Sequence, residues 1–421
     1  MKNQFHAVLV AVVFLTTSNP LRAQNYDTNN VNVFTYAGYG IPAYVDGQGV
    51  LTAFNAPTFV VSDTASNLYV WDNGNLRIRK ITPDHTVTTF VGGGSFLEGT
   101  TTNVSLAWGQ VSAMTMDRAN RIWLVVSSSY FYGMTYLLTV TTNGLVQFVN
   151  GGFTNLNTSS GICFDSANNF YYSGGNRIYR FNPNNNSLQA FAGSGIQAYF
   201  DGQGTLLTAF NGPTALACDA ADNILVWDSY NGRIRRVDQL QNVTTMTGNG
   251  NNYSPADGVG TNTSFANVTS MFFDVTGNLI LICGSCVRKI DPQNVVNTVA
   301  GQFYGGYQFA DGSGSTARFN SANGGCFSQG MIIVADSGNN RIRNITFNSP
   351  GQVVTGANLE LNIYPGLRIT GAIGRTYQIQ SSSNLSNWVN TTAIVLTTSP
   401  FLWIDPTPIA GNKFYRAILQ P

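Results

Sequence analysis

Few residues in this sequence have a type that could carry out acid, base or metal chemistry. Only two histidines occur, His6 and His85, and only two glutamates, Glu98 and Glu360. His85 lies in the turn segment TPDHTV. With no neighbouring histidine it has no partner as metal ligand, and no GxSxG elbow accompanies it for Ser-His-Asp chemistry. Its plainer reading is a solvated turn residue. A hard divalent ion wants six or more oxygens with carboxylates prominent, and neither glutamate falls on a strand expected to line a central axis. No cofactor is expected.

The recurring acids are aspartates. Asp46, Asp201, Asp257 and Asp311 each lead an Asp-Gly-x-Gly segment. Glycine there accepts positive φ and the aspartate bonds its own backbone, which makes a tight turn; contact with a cation or ligand is the functional alternative. Arg77 with Arg79, and Arg233 with Arg235, recur in phase with Asp72 and Asp228. That phasing suggests an ion pair internal to each repeat rather than a nucleic-acid surface.

Aromatic residues are the stronger lead. Tyr39, Tyr44, Tyr199, Phe200, Tyr253, Tyr304 and Tyr307 fall in loops between repeats, and the segment SSSYFYGMTY places Tyr130, Phe131, Tyr132 and Tyr136 in an expanded loop. Such amphipathic rings suit stacking on sugars or anchoring a protein partner, unless they only pack loops against the strands. The candidate ligand-binding set is Tyr44, Asp46, Tyr130, Phe131, Tyr132, Tyr199, Asp201, Asp257 and Asp311.

These residues must be positioned by a tandem repeat. A large residue stands nine positions before a recurring aspartate: Phe54 before Asp63, Trp108 before Asp117, Phe210 before Asp219 and Phe265 before Asp274. Leu156 before Asp165 and Phe319 before Ser328 complete six units, spaced by about 50 residues, a period typical of solenoids or propellers. Within the first unit PTFVVSD, NLYVWDN, LRIRKI and VTTFVG are short runs rich in β-branched and aromatic residues, separated by Asn, Gly, Asp and Pro. Four strands per unit make one propeller blade. An all-β, six-bladed β-propeller is expected.

The DG-x-G loop, the F-N-x-P segment and the D-x-x-N-x-R-I-R hairpin resemble the NHL repeat family. The first unit carries Asp46-Gly47, Phe54-Asn55, Pro57, Asp72, Asn75, Arg77, Ile78 and Arg79; the fourth and sixth keep the hairpin as Asp228, Asn231, Arg233 and Asp336, Asn339, Arg341. The second and third units keep only the strands. The resemblance implies an NHL-type propeller over residues 31–347. Its enzymatic relatives are amidating lyases, whose zinc needs several histidines that this sequence lacks, and calcium-dependent lactonases, whose axial calcium takes oxygen ligands including Glu, for which the expected axial strands provide poorly.

The sixth unit runs out after RIRNITF, and VNVFTYAGYG near the other end of the chain resembles a fourth strand. Val31 to Ala37 is therefore predicted to pair with Arg341 to Phe347, which avoids an open edge.

Residues 1–23 have the build of a cleaved signal peptide: Lys2, the apolar run AVLVAVVFL, then LRAQ. A secreted or periplasmic monomer without membrane insertion is expected. Residues 348–358 read as a linker and residues 359–421 as a small β-sandwich-like domain. Charged residues make up 10% of the chain and net charge is +1, so no field recruits nucleic acid or an anionic membrane.

Cys163 and Cys326 belong to first strands on opposite sides of the axis, too far apart to bridge. Cys218 is one position out of step and is expected to face the other way. Cys283 and Cys286 flank the short hairpin ICGSCV, where a bridge and two free thiols are both open readings; without a second CxxC or a nearby His, zinc is disfavoured. The sequence points to a non-catalytic recognition or scaffold protein that takes a glycan or protein partner on its aromatic loops. The alternative is a propeller-type hydrolase or lyase with an axial divalent cation.

Overall fold

The computed structural model describes residues 26, 28, 30–95, 98–100, 103–107, 109–127, 135–149, 161–182, 185, 187–303, 308–347, 358–362, 366–384, 386–397, 399, 401–404 and 414–420. Their regular structure is almost all antiparallel β. Six sheets of four or five strands, here I to VI in order of their innermost strands, precede two sheets of three. No helix among the described residues is long and apolar enough to cross a membrane.

Sheet I illustrates how the local sequence makes the unit. Pro57–Ser62, Leu68–Asp72, Arg77–Ile81 and Thr86–Val91 follow one another as neighbours. The turn after the first strand is fixed by the recurring aspartate: Asp63 accepts the Asn67 backbone N–H and its side-chain amide, both at 2.8 Å. The same pair of bonds recurs at Asp165 with Asn169, Asp219 with Asn223 and Asp274 with Asn278. At Asp117 an arginine, Arg121, takes the asparagine's place. The chain reverses through a left-handed residue one position earlier, such as Asn168 at φ 64°, a conformation that Asn tolerates well.

Before its first strand the chain passes along the outer edge of its own sheet. Gly47–Gln48 pairs with Thr86–Val91 through Gly47 to Val87 and Gln48 to Thr86, and equivalent two-residue strands cover the edges of sheets II, IV, V and VI. This caps backbone groups that an exposed edge would leave free to pair with another chain.

Sheet VI is completed from the other end of the chain. Val31–Ala37 lies antiparallel to Arg341–Phe347, with Val31 opposite Phe347 and a bulge between Thr35 and Ala37. This is the pairing expected from the sequence. Adjacent sheets stack their apolar faces: Trp71, Tyr69 and Ile78 of sheet I share a core with Leu124, Val126 and Leu138 of sheet II. Each fully buried aliphatic chain contributes about 1.5–3 kcal/mol. The innermost strands of all six sheets surround one cavity.

Residues from Asn358 onward build two further sheets, Asn358–Asn362 with Gly366–Thr370 and Phe401–Ile404, and Val389–Val395 with Thr376–Ser382 and Phe414–Leu419. Ile369, Tyr377, Ile379, Ile394 and Leu396 form their own small core.

Candidate functional site

The repeated aspartates meet buried arginines. Arg79 is fully buried and makes five hydrogen bonds to four acceptors: Asp46 Oδ1 from Nε at 3.1 Å and from Nη2 at 2.5 Å, the Val45 and Ala53 carbonyls, and Asp72 Oδ2 at 2.9 Å. That uses every donor a guanidinium has. The other oxygen of Asp46 accepts the backbone N–H and hydroxyl of Thr89 on the fourth strand, at 3.1 and 3.2 Å. Arg235 repeats the arrangement with Asp201, Asp228 and the Phe200 and Ala209 carbonyls. In sheet VI Arg343 joins Asp311 and Asp336. In sheet V Arg288 keeps Asp257, while Cys283 stands where sheet I has Asp72. Burial pushes the Asp72, Asp228 and Asp336 carboxyls up, and the facing arginine and asparagine bonds only partly offset it.

Two rings lie near each of these guanidinium groups. Arg79 is 4.9 Å from the Tyr44 ring and 5.2 Å from Phe54; Arg235 is 4.8 Å from Tyr199 and 5.2 Å from Phe210. The Tyr44 hydroxyl also bonds Thr89, and Tyr199 bonds Thr245. Tyr44, Asp46, Tyr199, Asp201, Asp257 and Asp311 therefore each make their contacts within their own sheet, away from the central cavity. Tyr130, Phe131 and Tyr132 lie outside the described residues, as do Tyr304 and Tyr307.

The loops between repeats and the turns between second and third strands share one rim, stitched by asparagines. Asn75 donates to the Ala43 carbonyl at 2.9 Å, Asn231 to Ala198 at 2.9 Å and Asn339 to Gln308 at 3.1 Å. At sheet IV a second link, Asn252, donates to the Ser229 and Tyr230 carbonyls at 2.9 and 3.2 Å. This brings three loops together, and they present Tyr230 at 73% exposure, Tyr253 at 88% and Ile196 at 67%. Sequence reasoning singled out Tyr253 but missed Tyr230. The signal was present: SYNGR in the fourth unit aligns with NGNLR and SGNNR, so Tyr230 replaces Gly74 and Gly338.

The cavity enclosed by the innermost strands has a volume of about 840 Å³ and is lined chiefly by apolar, Thr and Ser residues, with Gln110, Asn323, Asp63, Asp117 and Arg118 among the polar ones. Both of these carboxylates are committed to the turns described above; Asp117 also accepts the Trp123 indole N–H at 2.9 Å. Among the described residues no group of three or more His, Cys, Asp or Glu could hold a metal ion. His85 lies away from the cavity, its ring stacked on Tyr36 with centroids 4.2 Å apart.

The cysteines differ from expectation. The Sγ atoms of Cys163 and Cys218 are 2.7 Å apart, although Cys218 was expected to face away. The one-position offset reverses the side to which a side chain points, but stacked sheets confront each other with opposite faces. The offset therefore brings the two thiols together. Cys283 and Cys286 are buried free thiols in this structure, and contact with Cys283, followed by burial, pushes the Cys286 thiol up.

No family model matches the chain, and no curated protein matches it. Among solved structures, it is similar to a structural genomics protein of unknown function from Bacteroides thetaiotaomicron, at 19% identity and TM-score 0.58, covering 75% of this chain and 76% of that one. An auxiliary nutrient binding protein from Bacteroides ovatus matches at 16% identity and TM-score 0.58, covering 76% and 77%. A protein of the same description from Bacteroides thetaiotaomicron matches at 16% and 0.57, covering 76% and 77%. Such likeness shows a shared β-propeller-like fold.

Proposed function

We propose that this chain is an exported, NHL-type six-bladed propeller with a small C-terminal β domain, and that it acts as a non-catalytic recognition protein. Its partner is a glycan or a protein, taken on the rim where the inter-repeat loops meet the turns between second and third strands. The observation that carries this reading is Tyr230. The fold does not require a ring at that turn, because Gly74 and Gly338 serve in the equivalent places, yet Tyr230 is 73% exposed beside the equally solvent-facing Tyr253. A large exposed amphipathic ring on a pinned backbone suits stacking or anchoring at little entropic cost.

The cavity supports the same reading from the other side. Acid-base chemistry needs a titratable group free to face substrate, and the Asp63 and Asp117 carboxylates at its margin are held by their own turns. The name of the Bacteroides ovatus neighbour, an auxiliary nutrient binding protein, agrees with a binding role but is no evidence for a particular ligand. The test is a screen of the mature chain against glycans and surface proteins, repeated with Y230G/Y253A. Binding by the parent that the variant loses, at unchanged thermal stability, is the expected result. Stoichiometric divalent metal together with hydrolase or lyase turnover would overturn it.

A further inference from the structure

We propose that Cys163 and Cys218 are a covalent modification site, closing to a disulfide that staples sheet III to sheet IV when the chain folds in an oxidising compartment. The inference is independent of the ligand reading.

Three observations lead to it. The two sulfurs already touch, 2.7 Å apart, across the boundary between two sheets and 55 positions apart in sequence. The innermost strands that carry them, Ile162–Phe164 and Pro213–Cys218, approach unusually closely because Gly161 has no side chain. A Cβ on Gly161 would stand 2.3 Å from the Thr214 carbonyl oxygen and 2.6 Å from the Leu216 nitrogen. Ser173 reinforces the seam, donating to the Thr214 carbonyl at 3.3 Å. A disulfide forms only where backbones are this near and the side chains converge.

The comparison between units makes the pair specific. Sheets VI and I meet in the same way, with Gly324 close against the Thr58 carbonyl. There the residue equivalent to Cys163 is Cys326, but the residue equivalent to Cys218 is Ser62. The fold therefore builds the close seam twice and supplies two thiols at only one of them. That one joins sheet III, which lacks the buried arginine and its aspartates, to sheet IV, which has the full set. A cross-link there ties the less reinforced unit to a well reinforced one.

The closure is a thiol–disulfide exchange with a small-molecule or enzyme disulfide of the compartment. One cysteine thiolate attacks that disulfide, forming a mixed disulfide and expelling one thiolate. The second cysteine then attacks the first cysteine's sulfur and expels the other. The protein pair is oxidised by two electrons, the reagent is reduced by two, and both cysteine protons end on the released thiols. Burial pushes the Cys163 thiol up, so exchange in the packed protein is slow and closure belongs to folding.

The experiment compares protein folded during export with the same chain folded in a reducing cytosol. Each is unfolded in denaturant with an alkylating agent and no reductant, then digested and analysed by mass spectrometry. The exported form is expected to yield a peptide pair joined through Cys163 and Cys218, two hydrogen atoms lighter than the free pair, with Cys326 alkylated. C163S should leave Cys218 alkylated, and C218S should leave Cys163 alkylated. A second readout uses a C283S/C286S background to remove the other cysteine pair. There, reductant should lower the Tm of the exported protein by several degrees and leave the C163S/C218S derivative unmoved. Both thiols alkylated in exported protein, or either one joined to Cys326, would overturn the proposal.

Discussion

Thr35 donates its backbone N–H at 3.2 Å and its hydroxyl at 3.0 Å to Asp311, a residue 276 positions away. Thr89 makes the same two bonds to Asp46 within one repeat, and Thr245 and Thr298 make them to Asp201 and Asp257. The N-terminal strand thus occupies the fourth-strand position of sheet VI down to the side chain that receives the loop aspartate. Closure is specified by a bonded pattern as well as by apolar complementarity.

Replacing Thr35 should therefore matter through the backbone more than through the hydroxyl. T35A removes one partly exposed bond and is expected to cost about 0.5–1.5 kcal/mol. T35P removes both donors to Asp311, the hydroxyl and the backbone N–H, and should cost more. Urea unfolding of the two variants checks this; equal midpoints would mean that the backbone N–H given to Asp311 adds nothing to the closure.

Tyr230 and Tyr253 offer the cleanest separation of binding from folding. Both project from the rim, and exposed substitutions away from buried contacts normally stay within about 0.5 kcal/mol. Y230G copies the residue found in sheets I and VI, so the turn keeps a backbone it already tolerates. Partner affinity should fall at least tenfold in Y230G/Y253A with an unchanged melting curve, measured by titration against whichever ligand the screen identifies. Undiminished affinity would place recognition elsewhere.

Much of this architecture was legible in the repeat. Aspartates at a fixed distance from a large residue located the hairpins, and the resemblance of VNVFTYAGYG to other fourth strands located the closing strand. In-phase arginines and aspartates announced an ion pair, although the sequence gives no sign that the loop carboxylate, the strand carboxylate and two carbonyls converge on one guanidinium. Tyr230 was legible only by aligning turns of unequal composition. The Cys163 and Cys218 contact was hidden because alternation along one strand does not say which face meets which neighbour; that relation belongs to the stacking of sheets.

Acid should weaken the structure partly through Asp274. Burial alone would raise its carboxyl, but bonds from the Asn278 side chain at 2.7 Å, the Tyr26 hydroxyl and the backbone N–H groups of Asn278 and Thr276 outweigh it and hold it below the ordinary range. A folded value below the unfolded one gives stability that is complete above the unfolded value, near pH ~3.9, and that disappears as pH falls through the folded one. Asp72, Asp228 and Asp336, raised by burial, act in the opposite sense. Y26F removes one donor from Asp274 and none from these three carboxyls. The stability gap between parent and Y26F should be constant above roughly pH 5 and shrink below roughly pH 4. Unfolding curves across that range test it, and a gap that stays flat into strong acid contradicts the assignment.

The buried arginine can be examined using the molecule's own alternative. In sheet II, counted from the hairpin pair Ile122–Val140 that matches Leu68–Ile81, the positions of Arg79 and Asp72 are held by Leu138 and Val126, so two apolar residues fill that place without a guanidinium. R79L alone strands Asp72, a carboxylate with no solvent exposure, with only Asn75 and the Asn55 N–H as donors. Breaking a buried pair from one side typically costs about 3–5 kcal/mol, whereas replacing both members is often far milder. D72V/R79L, which copies sheet II, should therefore be more stable than R79L by at least about 1 kcal/mol. Asp46, with 41% of its side chain exposed, returns to water in both variants and drops out of the comparison. If the double variant were no more stable than the single one, the five bonds on Arg79 would be acting to place the loop that carries Asp46, and its charge would be incidental.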